Sequence, residues 1–268
     1  MEKRLIKEIP YSLPDEILEI CNRARIYDSS CSPEARVYFI DKEGGLYLKI
    51  SQPGKLKNEA LMNDYFYKKK IGPRVLNYIS NKYDIMLTSA VAGEDCTHRE
   101  YLNHPKRLAE LMAEELWELH NLDCSDCPIR EKTVDFISVA EENYRRDSYD
   151  KSHFPDSFGY RSGEEAYSVL SSGKGLLKND VLIHGDYCLP NIMLDNWKFS
   201  GFIDLGDGGV GDRHIDLFWG WWTIGFNLNM IGVADDTRAA ERFLDAYGRS
   251  NINPEALKVV AAMACLGG

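Results

Sequence analysis

The stretch at residues 184–206 constrains this chain most, because it combines the pattern of a β-hairpin with three side chains that suit metal and proton chemistry. Short apolar runs at residues 181–183 and 192–194 predict two strands. The pair Asp195-Asn196 is a turn signal before a third strand-like run at residues 199–203. The sequence therefore predicts a strand, a loop and then a hairpin.

Three side chains in this stretch, Asp186, Asn191 and Asp204, are spaced as Mg²⁺-dependent phosphoryl transfer requires. Asp186 and Asn191 lie at the two ends of the predicted loop, and Asp204 follows the last strand, so the hairpin can bring Asn191 and Asp204 side by side. Two such oxygen ligands suit Mg²⁺, which takes the rest of its shell from water and nucleotide phosphates. Asp186 then remains available to orient a substrate hydroxyl and accept its proton.

The alternative is that these residues belong to ordinary turns and caps, where Asp and Asn are common. The combined spacing favours function. D-x4-N followed by an Asp at the end of an apolar strand is the layout of a kinase catalytic loop and its metal-binding segment.

This stretch resembles the aminoglycoside phosphotransferases, particularly the 3'-phosphotransferases, within the wider group of small-molecule kinases with a protein-kinase-like fold. Those proteins carry H-G-D-x-x-x-x-N and I-D-x-G, and this chain reads His184-Gly185-Asp186 and Ile203-Asp204-Leu205-Gly206. The resemblance is strong from about residue 181 to residue 218 and weaker over most of the remaining chain.

The resemblance implies an α+β, bilobal protein-kinase-like fold. Residues 1–90 would form a small, β-rich nucleotide-binding lobe. Residues 91–268 would form a larger, mainly α-helical lobe with the catalytic loop, the metal site and the acceptor pocket. A chain of 268 residues with 44% hydrophobic content is long enough for two such lobes.

The net charge of −10 bears on the partners of this protein. Proteins that bind nucleic acid normally present a basic face, so no nucleic-acid partner is expected. A cationic small molecule fits the charge better, although many soluble proteins are acidic merely for solubility.

Several absences in the sequence predict a cytoplasmic protein that does not contact a membrane. No run reaches the ~18 apolar residues of a membrane span, and residues 1–20 lack the apolar region of a secretory signal. Seven scattered cysteines predict reduced thiols. Cys124 and Cys127 form a C-x-x-C, but no second pair accompanies them, so no zinc or redox site is expected. We expect a monomer or a weak dimer.

Tyr47 and Lys49 are candidate nucleotide contacts. Residues 35–40 and 45–50 predict two strands of a hairpin, and period-2 alternation puts Tyr47 and Lys49 on the face opposite three aliphatic residues. A Lys there usually marks a solvated face. The resemblance implies instead that Lys49 contacts nucleotide phosphates and that Tyr47 stacks on adenine.

Glu59 is the candidate partner of Lys49. Residues 56–70 predict a helix with Glu59 in its first turn, where the helix dipole alone favours a carboxylate. The resemblance implies that Glu59 pairs with Lys49 and holds its ammonium in place.

The remaining nucleotide contacts come from the resemblance. No protein-kinase glycine loop occurs between residues 29 and 40. The aminoglycoside phosphotransferases have a Ser-Pro pair in their nucleotide loop, and Ser32 with Pro33 occupies that place, which implies that Ser32 faces the phosphates. Residues 84–88 predict the last strand of the first lobe. The hinge that follows would contact the adenine edge through the backbone of Ser89, Ala90 and Val91.

The second lobe is predicted to be helical, beginning with a helix near Leu108. His120, in the last turn of that helix, is expected to pack or to complement the helix carboxyl end. Carboxylates recur between residues 123 and 165, normally as a solvated face. The resemblance implies that part of this insertion forms an acidic wall around a polycationic substrate, with Asp156 as the best candidate.

Two further acids follow the metal-binding segment. Asp207 is a second candidate substrate contact and stands where relatives often have Arg, so the acceptor half is less defined than the nucleotide half. Asp216 resembles a structural acid that braces the catalytic loop from the following helix.

The residues and the resemblance together predict a phosphotransferase that depends on Mg²⁺ and on ATP, or on GTP. It would move the γ-phosphate to a hydroxyl of an aminoglycoside antibiotic, of the 3' type, and so confer resistance. One alternative is a kinase of another small hydroxylated or cationic metabolite on the same fold. A second is a catalytically silent nucleotide-binding module, against which the presence of Lys49, Asp186, Asn191 and Asp204 counts.

Overall fold

The computed structural model describes residues 4–155, 158–233 and 236–267. Contacts between residues divide the chain into two compact units. The first comprises Met1–Gly93 with Ser200–Gly206, and the second comprises Glu94–Phe199 with Asp207–Gly268. The sequence predicted that the second lobe begins at residue 91, whereas the contacts place residues 91–93 and 200–206 with the first unit.

The first unit is built around a six-stranded antiparallel sheet with the strand order β1-β2-β3-β4-β6-β5. Its strands are β1 (Arg4–Ile6), β2 (Arg25–Asp28), β3 (Ala35–Asp41), β4 (Leu46–Ser51), β5 (Val75–Ser80) and β6 (Asp84–Ser89). Two helices accompany them, α1 (Asp15–Cys21) and α2 (Lys57–Lys68). The predicted strands at residues 35–40, 45–50 and 84–88 agree with β3, β4 and β6 to within one residue.

Alternation along β4 explains how the first unit presents its polar residues. Leu46, Leu48 and Ile50 are each at most 5% exposed and belong to the apolar core between the sheet and α1. Tyr47 and Lys49 lie on the opposite face and are partly exposed. The alternation predicted for this strand is therefore confirmed.

One predicted helix is too long. The sequence predicts a helix over about residues 15–25, but helix α1 ends at Cys21. Arg23 has a φ of 63°, in the left-handed region that ends a helix, and β2 begins at Arg25 because it pairs with β3.

The second unit is mainly helical. It contains α3 (Arg99–Leu102), α4 (Pro105–Asn121), α5 (Lys132–Arg145), α6 (Gly163–Gly173), α7 (Arg213–Met230), α8 (Asp236–Tyr247) and α9 (Pro254–Gly267). One apolar core of this unit joins four of these helices, α5, α6, α7 and α9, through buried residues such as Ala140, Leu170, Ile215 and Val259. Among the described residues, no helix has the length and apolar character needed to cross a lipid bilayer.

Short strands frame the loop that the sequence singled out. β8 (Val181–Ile183) pairs antiparallel with β11 (Gly209–Gly211). β9 (Ile192–Asp195) and β10 (Lys198–Phe202) form the predicted hairpin, and β7 (Glu94–Asp95) pairs with β9. The loop between β8 and β9 ends in a 3₁₀ turn, Leu189–Asn191. The predicted order of strand, loop and hairpin is confirmed.

Candidate active site

The first unit contains a pocket of about 660 Å³, part of it open to solvent. Most of its wall is apolar and includes Val37, Tyr47, Met86, Val91 and Ile203. Its polar lining includes Lys49, Glu59 and Asp204. A flat apolar ring and an anionic group attached to it would both find complementary surface here.

Lys49 forms ion pairs with two carboxylates. Its Nζ lies 2.8 Å from Glu59 Oε2 and 2.6 Å from Asp204 Oδ1. The side chains of Lys49 and Glu59 are 19% and 9% exposed, while that of Asp204 is 48% exposed. The predicted partner of Lys49 is therefore in contact with it, and Asp204 is a second partner.

These two carboxylates determine the charge state of Lys49. Burial lowers the pKa of its ammonium, but the neighbouring Asp204 and Glu59 outweigh that effect, so the pKa lies well above its ordinary value. The ammonium therefore stays charged at every physiological pH and offers a fixed cation on the pocket wall.

Asp204 is held in an unusual backbone conformation. Its φ is 59°, in the left-handed region that costs a residue with a side chain roughly 1–2 kcal/mol. The neighbouring strand residue Phe202 donates its N–H to the carbonyl of Ile71 at 2.8 Å, and its ring packs edge-on against Phe66. The Asp204 carboxylate is thus directed toward Lys49 by the fold of the segment that precedes it.

Two predicted nucleotide contacts, Tyr47 for the base and Ser32 for the phosphates, differ in their surroundings. Tyr47 lines the pocket, and its ring lies 5.2 Å from that of Phe39. Ser32 is exposed, and its Oγ accepts the N–H of Glu34 at 3.1 Å. The pocket lining includes Ser29 and Cys31 from the same loop.

The hinge residues are partly committed to hydrogen bonds within the first unit. The N–H of Ser89 donates to the carbonyl of Arg74, and that of Ala90 donates to Gly45, each at 2.9 Å. Ser89 and Val91 line the pocket. Within the described residues, Val91 is the one member of this hinge whose N–H has no hydrogen-bond acceptor.

Asn63 is a pocket residue that the sequence did not reveal. It is 2% exposed, and its Nδ2 donates to the thioether sulfur of Met86 at 3.6 Å. Within the described part of the chain, its Oδ1 has no hydrogen-bond partner. A buried amide in this state costs free energy of folding, so this part of the pocket wall is suited to a hydrogen-bonding ligand.

In the second unit, the loop after β8 brings Asp186 and Asn191 together. Asn191, 5% exposed, donates its Nδ2 to Asp186 Oδ2 at 2.8 Å and to the Asp186 carbonyl at 3.0 Å. Since the amide nitrogen is used in this way, the amide oxygen of Asn191 is the atom that can bind a cation. The sequence placed these two residues at opposite ends of the loop and did not predict the hydrogen bond between them.

Cys188 lies beside Asp186 and was not identified from the sequence. Burial raises the pKa of its thiol, and the negative charge of Asp186 raises it further. The thiol is therefore protonated and unreactive at neutral pH.

Asp216 braces this loop as expected. It is fully buried in the first turn of α7, and it accepts the N–H of His184 at Oδ2 and that of Gly185 at Oδ1, each at 2.8 Å. Gly185 has a φ of 85°, and a Cβ built there would lie 2.0 Å from the carbonyl oxygen of Asp207. Only glycine fits this position, directly before Asp186.

Asp207 forms an ion pair with a buried lysine. Its Oδ1 lies 3.2 Å from Nζ of Lys132, whose side chain is 7% exposed, whereas the Asp207 side chain is 57% exposed. Lys132 begins α5 and lies 75 residues away in sequence. Lys132 was not singled out from the sequence because it lies in a stretch rich in carboxylates.

Several carboxylates of the acidic series form local ion pairs. Glu141 pairs with Lys174, Glu142 with Arg145 and Arg146, and Asp147 with Lys151. Because their charge is compensated locally, these three acids do not form an open anionic wall. Asp156, the best candidate for a substrate contact, lies outside the described residues.

The cysteines and other metal-binding side chains of the described residues are dispersed. These residues contain no group of three or more His, Cys, Asp or Glu side chains placed to hold a metal. Cys124 and Cys127 are free thiols, and Cys127 donates to the carbonyl of Ile129.

Comparison with known proteins agrees with this geometry. The sequence profile of the phosphotransferase enzyme family matches residues 32–260. A Lactococcus lactis protein named probable aminoglycoside 3'-phosphotransferase is 46% identical over 255 residues, 95% of each chain. An aminoglycoside 3'-phosphotransferase of Niallia circulans is 30% identical over 175 residues, which cover 65% of this chain and 64% of the relative.

Solved structures show the same fold. An aminoglycoside 3'-phosphotransferase of type VIII superimposes with a TM-score of 0.72 at 23% identity, covering 88% of this chain and 90% of the other. An aminoglycoside phosphotransferase from Streptomyces rimosus gives a TM-score of 0.68 at 21% identity, covering 99% and 92%. The expected α+β kinase-like fold is confirmed, and the chain belongs to the phosphotransferase enzyme family.

Proposed function

We propose that this protein transfers the γ-phosphate of ATP to the 3'-hydroxyl of an aminoglycoside antibiotic and so confers resistance. The observation that carries this proposal is Lys49, a permanently charged ammonium held by Glu59 and Asp204 on the wall of an apolar pocket. The family and the relative at 46% identity support it.

The pocket of the first unit is the proposed nucleotide site. Adenine would lie against the apolar wall and stack on Tyr47, with the N–H of Val91 as a donor to its edge. Lys49 would contact the phosphates, as its fixed charge favours. Ser32 and the backbone of Ser89 remain proposed contacts. Ala90 is not retained as a contact, because its N–H donates to the carbonyl of Gly45.

Mg²⁺ is the proposed metal, with Asn191 and Asp204 as its protein ligands. Each of these residues has an oxygen atom available for the metal. The Asn191 nitrogen is donated to Asp186, which leaves the amide oxygen, and Asp204 uses Oδ1 for Lys49 and has a second carboxylate oxygen. Mg²⁺ accepts such hard oxygen ligands and, when bound, neutralises charge on the phosphates.

Asp186 is the proposed residue for the acceptor. Its carboxylate is oriented by the Asn191 amide, and its backbone by Asp216 through the two preceding residues. In this position it would accept a hydrogen bond from the substrate hydroxyl and take its proton as the phosphoryl group transfers. Because the transition state is loose, the protein contributes mainly alignment and charge compensation.

The acceptor is proposed to be polycationic. The net charge of −10 favours such a substrate, and the exposed Asp207 packs directly against Gly185. We propose Asp207 as a contact for a substrate ammonium, and Asp156 remains a second candidate. A cytoplasmic location and a monomeric or weakly dimeric state remain predictions.

An acceptor comparison tests the proposal. Turnover is measured by ADP release with MgATP and with MgGTP, using kanamycin, a 3'-deoxy analogue of kanamycin, and simple amino alcohols. We expect turnover with kanamycin and none with the 3'-deoxy analogue. Equal turnover of both aminoglycosides would contradict the 3' assignment, and turnover of the amino alcohols alone would indicate a metabolite kinase.

A further inference from the structure

The buried carboxylate of Asp216 has a third hydrogen-bond donor beyond the two backbone groups of the catalytic loop. His120 Nε2, at the carboxyl end of α4, lies 3.2 Å from Asp216 Oδ2. The other ring nitrogen, Nδ1, lies 2.8 Å from the hydroxyl of Tyr247 at the end of α8. Three helices therefore meet in one chain of hydrogen bonds, with His120, 5% exposed, at its centre.

The direction of each hydrogen bond follows from the chemistry of the groups. A carboxylate only accepts, so His120 Nε2 carries a proton and donates to Asp216. Burial lowers the pKa of His120 despite the opposing effect of Asp216, so the ring is neutral and Nδ1 accepts. Burial also raises the pKa of Tyr247 to about 12, so its hydroxyl keeps the proton that it donates to Nδ1.

The chain of hydrogen bonds from Tyr247 ends at the backbone of the catalytic loop. Asp216 Oδ2 receives both His120 Nε2 and the N–H of His184, and Oδ1 receives the N–H of Gly185. The N–H of Asp186 in turn donates to His184 Nδ1 at 3.2 Å. A rotation of the Asp216 carboxylate would therefore be transmitted within two residues to Asp186.

We propose that His120 and Tyr247 are positioning residues for phosphoryl transfer: together they fix the orientation of the Asp216 carboxylate and, through it, the loop that presents Asp186. The inference rests on the proposed function. His120 then does more than fill space, because it must carry its proton on Nε2 in order to donate to Asp216.

Two neutral substitutions of His120 separate this role from packing. The side-chain amide of glutamine reaches the place of Nε2 and can donate to Asp216, whereas that of asparagine reaches only the place of Nδ1. We expect His120→Gln to keep kcat within about threefold of the unmodified protein. His120→Asn should lower kcat by on the order of ten- to a hundredfold, the effect of losing one hydrogen bond to a charged group.

The second readout is the Michaelis constant for ATP. Since the chain of hydrogen bonds ends at the catalytic loop, KM for MgATP should change less than about twofold in both variants. Equal losses of kcat in the two variants, or a matching rise of KM for MgATP, would overturn the proposal.

Tyr247→Phe keeps the test valid if a His120 variant fails to fold. It removes one hydroxyl while retaining the ring that packs against Trp117 and His120. We expect kcat to fall roughly threefold because His120 Nδ1 loses its donor while Nε2 still reaches Asp216. An unchanged kcat in this variant would contradict the proposal.

A measurement without turnover distinguishes this inference from the proposed function. Nitrogen-15 NMR of the imidazole should show His120 protonated at Nε2 and not at Nδ1, with the Nδ1 signal shifting in Tyr247→Phe. The opposite tautomer would overturn the inference even in an active enzyme. An inactive protein with the expected tautomer would count against the proposed function alone.

Discussion

The two groups of candidate catalytic residues are stabilised in different ways. In the first unit, Lys49, Glu59 and Asp204 hold one another by ion pairs between side chains, in a pocket that admits solvent. In the second unit, Asp186 is held through its backbone, because the buried Asp216 accepts the N–H groups of the two preceding residues. The first arrangement fixes charge, and the second fixes position.

This difference separates the kinetic effects of substitutions. Changes to the ion pairs should alter nucleotide binding, since Lys49 is the cation on the pocket wall. Changes to Asp186 or Gly185 should alter kcat and leave nucleotide binding intact, because neither residue lines the pocket of the first unit. If both kinds of substitution altered the same kinetic constant, the two groups of residues would not have these separate roles.

Replacing Asp186 should have the largest effect. Asp186→Ala removes the group that orients the hydroxyl and accepts its proton, so kcat should fall by at least about a hundredfold. Stabilisation by ATP in a thermal melt should persist. Asp186→Asn is the matched control for shape and should be nearly as inactive, whereas near-normal turnover in either variant would refute the assigned role.

Replacing Lys49 should affect the nucleotide. Lys49→Ala removes the ion pair with Glu59, which is 7% exposed, and also removes the phosphate contact. We expect kcat/KM for ATP to fall on the order of a hundredfold, with a large rise in KM.

Lys68→Ala serves as its control, because it removes an exposed ammonium from the same unit, where an ion pair contributes little. Steady-state kinetics with varied ATP provide the measurement. A Lys49 variant with an unchanged KM for ATP would remove the main support for the nucleotide site.

A substitution of Gly185 tests whether the backbone of the catalytic loop sets the position of Asp186. Gly185→Ala would place Cβ 2.0 Å from the carbonyl oxygen of Asp207, so the loop must shift, and misplacing Asp186 should lower kcat at least about tenfold. Gly54→Ala is a matched control: its φ is 83°, but nothing lies within 4 Å of the added carbon.

Thermal unfolding of the same two variants adds a second measure. Both should lose about 1–2 kcal/mol to backbone strain, and Gly185→Ala should lose more because of the clash. Equal kinetic behaviour of the two variants would show that the close approach at Gly185 has no role in catalysis.

Replacing Asn63 should have the smallest effect: it should raise the stability of the free protein and weaken the binding of ATP. Asn63→Leu replaces an incompletely hydrogen-bonded buried amide with an apolar side chain of similar volume, so the free energy of unfolding without ligand should rise by up to about 1 kcal/mol. KM for ATP should rise severalfold if the amide pairs with the nucleotide. Higher stability with an unchanged KM would show that Asn63 has no part in binding.

Local patterns predicted much of the fold and of the site. The alternation along β4 placed Tyr47 and Lys49 on the pocket face because side-chain direction in a strand depends only on position. The D-x4-N spacing of Asp186 and Asn191 is visible in the sequence, although the hydrogen bond that joins them was not predicted. The same reasoning overextended α1, since nothing in the pattern marks the left-handed conformation of Arg23.

Contacts between distant residues could not be predicted in this way. His120 contacts Asp216 and Tyr247, which are 96 and 127 residues away, and Lys132 contacts Asp207 across 75 residues. The ion pair between Lys49 and Asp204 spans 155 residues, and neither side chain marks the other in the sequence. Such contacts depend on how helices and strands pack, which local propensity does not encode.

The identity of the phosphorylated product tests the central claim most directly. Kanamycin would be incubated with MgATP and the protein, and the product analysed by mass spectrometry and phosphorus-31 NMR. The account predicts a single added phosphate on the 3'-oxygen, absent with Asp186→Ala. Phosphate on another hydroxyl, or ATP hydrolysis without any transfer to kanamycin, would contradict it.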